Sequence, residues 1–141
     1  MKYHFKIHKE ADGFWAQCLE IPGCVTQGDS REELSKNMQE ALNTCLEEPE
    51  DITYVAPFPD DTYILSRSLV EVPVDPAVAF GFIVRYFRVK KGLTQKEAAQ
   101  SLGMKSLFSY QRLERRCNAT LEMIGKLLGL FPQLPLSKIF R

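Results

Sequence analysis

Leu93–Gly103 reads LTQKEAAQSLG. Thr94 is followed three residues later by Glu97. At that spacing a Thr hydroxyl and a Glu carboxylate each accept a backbone N–H at the start of a helix. Ala98, Ala99 and Leu102 form its inner face, and the small Ala99 lets a second helix come close. Gly103 suits the left-handed position of a tight turn. Ser106 can cap a further helix, LFSYQRLERR, with Tyr110 and Leu113 on one side. At about 100° per residue, Ser109, Arg112 and Arg116 cluster on the other side, flanked by Lys105 and Arg115. Two short helices joined by a Gly-containing turn, the second basic and polar outward, predict a helix-turn-helix. Such side chains can reach phosphates and base edges in the major groove. The candidate DNA contacts are Gln95, Lys105, Ser106, Ser109, Gln111, Arg112, Arg115 and Arg116. The bland alternative is a small helical bundle with a solvated face.

The flanking sequence extends the helical reading in both directions. Upstream, Asp75 can cap a helix with Pro76 at its first position, and Gly92 closes it. Phe80, Ile83, Val84 and Phe87 give that helix one apolar face. Ala77, Val78, Phe82 and Tyr86 spread apolar surface further round it, which predicts a surplus for self-association into a homodimer or higher oligomer. Downstream, Thr120 caps a fourth helix with Leu121, Ile124, Leu127 and Leu128 facing inward.

Val72-Pro73-Val74-Asp75-Pro76 reads as a boundary, which predicts modules at 1–74 and 75–141. Charge divides there too. Residues 1–74 hold 6 Lys/Arg against 14 Asp/Glu, and residues 75–141 hold 12 against 4, although the whole chain is neutral. An acidic module and a basic module imply different partners.

In the acidic module, Tyr3, Phe5 and Ile7 alternate with His4, Lys6 and His8, the period of a half-buried strand. His4 and His8 are expected to be exposed. Asp12-Gly13 is a turn into a returning strand, FWAQCLE, and CVTQG is a short third strand. Ser30-Arg31-Glu32-Glu33 is a second capping box. It opens a helix with Leu34, Met38, Ala41, Leu42, Cys45 and Leu46 at helical spacing, ended by Pro49. Residues 49–61 read as an irregular loop, and TYILSRSLVEV as a last strand. The expected fold class is α+β: a β-β-β-α-β module followed by an all-α bundle.

LTQKEAAQSLGM…YQRLE resembles the lambda-repressor-like helix-turn-helix family. That resemblance implies that Arg88 on the first helix pairs with Glu114 at the end of the recognition helix. The segment Met104–Glu114 is one residue longer than the family's usual pattern. The N-terminal half, DGFWAQCLEIPGCVTQGDSREELSKNMQEAL, resembles the HicB antitoxin family. Asp12, Gly13, Trp15, Ile21, Pro22, Gly23, Cys24, Thr26, Gln27, Gly28, Asp29 and Ser30 carry the pattern. It implies a partial ribonuclease-H-like fold, a HicA-type mRNA-cleaving toxin as protein partner, and operator DNA as the second partner. An acidic module suits a small basic toxin, because complementary charge speeds encounter. Phe14 and Trp15 are candidate toxin anchors, or equally core residues.

Catalysis is not expected. A two-metal nuclease needs carboxylates gathered on strands, and the first strand offers none in Tyr3–His8. Asp60-Asp61 reads as a solvated turn. His4 and His8 lack companions for a metal. Cys24 follows a Pro-Gly turn and reads as packing rather than as a nucleophile. The four cysteines form no CxxC pair and read as reduced core thiols. No cofactor, metal or catalytic residue is assigned. No apolar run approaches the roughly 20 residues of a membrane span. Met1-Lys2-Tyr3-His4 leads into no apolar signal segment, so a cytoplasmic protein is expected. Three readings remain: an antitoxin that represses its own operon, a stand-alone transcription regulator with a sensing or dimerisation domain, and a dimerisation protein that never touches DNA.

Overall fold

Alternation in the first nine residues after Met1 sets the register of the sheet. The computed structural model describes residues 1–47 and 54–141, and it is an α+β structure. Strand β1 (Lys2–Glu10) turns back into β2 (Gly13–Cys18), followed by β3 (Val25–Gly28). With β4 (Leu69–Pro73) they form one sheet in the order β3-β2-β1-β4, antiparallel throughout. Phe5 lies opposite Cys18 and Val70, Tyr3 opposite Val72, and Ile7 opposite Ala16. Directly paired residues share a face, so these side chains form one apolar surface.

Helix α1 (Arg31–Glu47) supplies a matching apolar stripe, with Leu34, Met38 and Leu42 all buried at every fourth position. Fully burying each leucine contributes roughly 1.5–3 kcal/mol. The Ser30 half of the capping box forms as read, the Glu33 N–H donating to Ser30 Oγ at 3.1 Å, but the Glu33 carboxylate reaches one residue further back than Ser30. The Asp29 N–H donates to the Glu33 carboxylate, also at 3.1 Å. The expected helix end at Pro49 lies outside the described residues.

Two expectations for this half are corrected. The last strand spans Leu69–Pro73 and not 62–72. Upstream of it, side chains take the backbone groups that a ladder would use. Asp60 Oδ1 accepts from the Thr62 N–H and hydroxyl at 2.9 and 2.6 Å, and these bonds hold the Asp60 carboxyl below the usual carboxylate range. Ser66 Oγ accepts from the Ser68 and Leu69 N–H groups. The second correction concerns the histidines. His4 is buried, with Nδ1 2.8 Å from Glu20 Oε2, and its backbone N–H donates to Glu20 Oε1 at 2.9 Å. Alternation alone predicted exposure, and it missed that the chain after β2 carries a carboxylate back over β1. His8 is half-buried and stacks on Trp15, with ring centroids 4.0 Å apart.

The helical half is built around α2 (Pro76–Lys90), with α3 (Gln95–Ser101), α4 (Leu107–Arg115), α5 (Leu121–Leu130) and a closing 3-10 turn (Leu136–Phe140). Helix α2 packs on α4 and on the closing turn. A Cβ on Gly81 would lie 2.7 Å from the Glu114 carbonyl oxygen, so glycine sets how closely α2 passes α4. Val78, Ala79, Phe80, Phe82, Ile83 and Val84 are all buried within the chain. Of the apolar residues expected to leave a surplus on α2, Ala77, Tyr86 and Phe87 remain half-buried. In α5, Leu127 is buried as expected, whereas Leu121, expected to face inward, is 87% exposed. It occupies the first helical position, where the helix has not yet turned onto its packed face.

The described chain divides into two compact units. The first takes Met1–Cys45 and Ala56–Asp75. The second takes Leu46, Glu47, Tyr54, Val55 and Pro76–Arg141. The change at 75/76 lies one residue from the expected boundary, but the last two residues of α1 belong with the second unit. Among the described residues, no helix is long and apolar enough to cross a membrane.

Candidate nucleic-acid interface

Local caps define where the two short helices begin. Thr94 Oγ1 accepts the Glu97 N–H at 3.1 Å, and the Glu97 carboxylate accepts the Thr94 N–H at 3.1 Å. Helix α3 then runs for seven residues, and Gly103 turns the chain at φ +69°. Five residues, Leu102–Ser106, join α3 to α4. Ser106 Oγ accepts the Ser109 N–H at 3.3 Å, so α4 starts where its cap predicts.

Tyr110, Leu113 and Glu114 are the buried residues of α4. Glu114 is a carboxylate in a core, and it is paired. Arg88 Nε donates to Glu114 Oε2 at 2.6 Å and Arg88 Nη2 to Oε1 at 3.1 Å. Arg88 Nη1 also donates to the Leu93 carbonyl at 2.9 Å, which ties the end of α2 to the start of α3. Breaking a buried pair of this kind typically costs about 3–5 kcal/mol, because the remaining charge has no partner. Beside it the Tyr110 phenol is pushed above its ordinary pKa, first by burial and then by the Glu114 charge.

The pair also reaches the surface. Glu114 Oε1 accepts from Gln95 Nε2 at 3.3 Å, and Gln95 Oε1 accepts from Gln111 Nε2 at 3.3 Å. One amide on α3 and one on α4 are thus aligned by a buried ion. Sequence spacing gave no signal for this chain of contacts.

Lys105, Ser106, Ser109, Gln111, Arg112, Arg115 and Arg116 are all exposed, and Gln95 is half-buried. Ser109, Arg112, Arg115 and Arg116 line a cleft of about 600 Å³ together with Asn118 and Thr120. Arg112 also lies over the Phe108 ring at 5.9 Å and lines a second groove with Gln95 and Gln111. It therefore sits on the crest between the two groups of candidates. Phe108 and Leu107 at the start of α4 are exposed, and the sequence reading did not single them out.

Arg116 departs from the helical-wheel placement. It follows the last residue of α4 in extended conformation, φ −141° and ψ 116°, so the 100° rotation no longer applies to it. Its Nε lies 2.6 Å from Glu47 Oε1.

Phe14 and Trp15 part company in the first unit. Phe14 pairs with Lys9 and lies on the sheet face that meets α1, where the Arg31 guanidinium stands 5.9 Å from its ring. Trp15 pairs with His8 and Gln27 on the opposite face. That face also carries Lys6 and Val25, both exposed. Among the described residues no group of His, Cys, Asp or Glu is placed to hold a metal ion. The neighbouring Cys18 and Cys45 thiols, and then burial, push the Cys24 thiol well above its ordinary pKa, which disfavours a nucleophilic thiolate there. No family model and no curated protein matches the chain.

Proposed function

We propose that this chain is an antitoxin of the HicB type that binds and neutralises a small basic HicA-type ribonuclease and represses its own operon. The observation that carries the DNA half is the solvent face of α3 and α4. Basic and amide side chains are displayed there on two capped helices, with the Arg88–Glu114 pair beneath them. Ser109, Gln111 and Arg112 meet base edges in this reading, Gln95 and Ser106 meet the backbone near the helix starts, and Lys105 and Arg115 meet phosphates.

The protein half rests on the acidic surplus of residues 1–74, the β-β-β-α-β order and the resemblance of the Asp12–Ser30 stretch. In this reading the module is partly ribonuclease-H-like, without catalysis, and the protein is cytoplasmic. Trp15, on the sheet face away from α1, is the anchor for the toxin, and Phe14 is packing. A homodimer follows from operator geometry, since two half-sites about one DNA turn apart are the usual target of such helices.

Two assays on the full chain test this. It should shift its own upstream DNA in a salt-dependent manner, and it should abolish RNA cleavage by a HicA-type toxin. DNA binding without neutralisation would leave the stand-alone regulator as the reading. Neutralisation without DNA binding would remove the repressor half.

A further inference from the structure

Glu47 is the last residue of α1 and belongs to the second unit. A carboxylate at the carbonyl end of a helix is poorly placed for that helix, because the macrodipole is negative there. What surrounds Glu47 is positive. It lines the cleft of about 600 Å³ with Arg112, Arg115 and Arg116, and the second groove with Arg85, Arg112 and Arg115. Among the described residues lining these two surfaces the other acid is Glu114, which is buried and held by Arg88. Glu47 thus stands as a single carboxylate among four arginines. Arg116 Nε lies 2.6 Å from its Oε1. The backbone beside Glu47 is fixed separately: Leu46 is fully buried, and Arg85 Nη2 donates to the Leu46 carbonyl at 2.7 Å. The Glu47 side chain can therefore swing away while the helix end stays in place.

We propose, resting on the DNA reading of α3 and α4, that Glu47 fills with the chain's own carboxylate a place that takes a backbone phosphate of bound duplex. Arg116 is then withheld from nucleic acid until a phosphate displaces Glu47. Carboxylate and phosphate oxygens offer a guanidinium the same charged acceptor, so one can replace the other. The Arg116 side chain is 54% exposed, so solvent screens the pair. Pairs of this kind bias an equilibrium by about fivefold at most. A duplex phosphate has a further drive that a lone carboxylate lacks, since neutralising it releases about 0.9 of a condensed counterion. Docking of α4 on a duplex brings such a phosphate to the cleft, and the exchange follows. Arg116 leaves the helical course of α4 and turns toward Glu47, so this contact is separate from the one made by Arg115 on the helix itself.

Wild type, Glu47→Gln, Arg116→Ala and the double variant, all full-length, provide the test. Each is titrated with a duplex of its own upstream DNA and with a scrambled duplex of equal length, in phosphate-free buffer at low salt. Glu47→Gln should bind both duplexes about fivefold more tightly than wild type, because a backbone contact carries no sequence preference. With Arg116 already alanine, the same change should gain no more than about twofold, the part due to charge alone. Glu47→Asp keeps the charge but shortens the reach, and should tighten binding about twofold with net charge unchanged. It gives a second route to the answer if the glutamine variant does not fold. Equal gains with and without Arg116 would mean that Glu47 acts only through its charge, and would overturn the proposal. So would a wild type that binds duplex beside folded Glu47→Gln and Glu47→Asp variants that bind no tighter. Absence of duplex binding in every form would remove the DNA reading itself, and this inference with it.

Discussion

Tyr110 shows how one buried atom carries a measurable consequence. Its side chain is fully buried, and its hydroxyl lies beside the Arg88–Glu114 pair. Removing the hydroxyl leaves that pair intact, so Tyr110→Phe should change stability by no more than about 1.5 kcal/mol in a denaturant melt. The phenol gives a pH signature as well. Its folded pKa is raised above the ordinary 10.0. Above that pH the unfolded chain releases the proton while the folded chain keeps it. The unfolded state then binds fewer protons, and stability falls as pH rises, by about 1.4 kcal/mol per unit from this group. Tyr110→Phe should lack that part of the alkaline decline when the two melts are compared between pH 9 and 11. The burial of Tyr110 was legible, because a large apolar residue three positions before Leu113 on a polar helix has one place to go. The Gln95–Gln111 contact was not, since it depends on the rotamers of two long side chains and on the turn between their helices. His4 was misread for a related reason: strand alternation describes two faces, but not what crosses over one of them.

At the level of elements, the close pass of α2 and α4 and the display of arginines on α4 make separate claims. Gly81→Ala places a methyl 2.7 Å from the Glu114 carbonyl and 2.9 Å from that of Leu113. Neither is a flexible side-chain end, so the helices must move apart. The expected loss is about 1–3 kcal/mol in a thermal or denaturant melt, and the proposed readout by α4 predicts weaker DNA binding as well. Arg112→Ala should cost about 1–3 kcal/mol of operator affinity and relax sequence preference, whereas Arg115→Ala should weaken all sequences alike and lower the salt slope by about one. Binding titrations against the operator and a scrambled duplex, each at two salt concentrations, separate the two effects. Unchanged operator affinity in a folded Arg112/Arg115 double alanine variant would remove α4 as the reader. The helices themselves were legible from Thr94, Ser106 and Thr120, because caps are local chemistry. The short last strand was not, because the serines and Asp60 before it satisfy backbone groups in a way that β-branched composition does not reveal.

For the whole molecule, the charge division and the unit division differ by a few residues with real effect. Leu46 is fully buried, and with Glu47 it belongs to the second unit even though α1 begins in the first. A fragment ending at Val74 should therefore retain the sheet but melt at lower denaturant than the full chain, with its α1 end frayed in hydrogen exchange. If that fragment matches the full chain in both measurements, residues 46–47 contribute nothing beyond the first unit. The boundary at 75/76 was legible from its prolines. The return of a helix end to the second unit was not, because sequence order conceals a discontinuous unit. That discontinuity has a consequence during synthesis. Leu46 leaves the ribosome before most of Pro76–Arg141 has been made, and at roughly 5–20 residues per second the missing partners follow only several seconds later. In that interval a leucine destined for a core faces solvent, and nascent chains arrested near residue 100 should bind a chaperone holdase more strongly than released full-length protein.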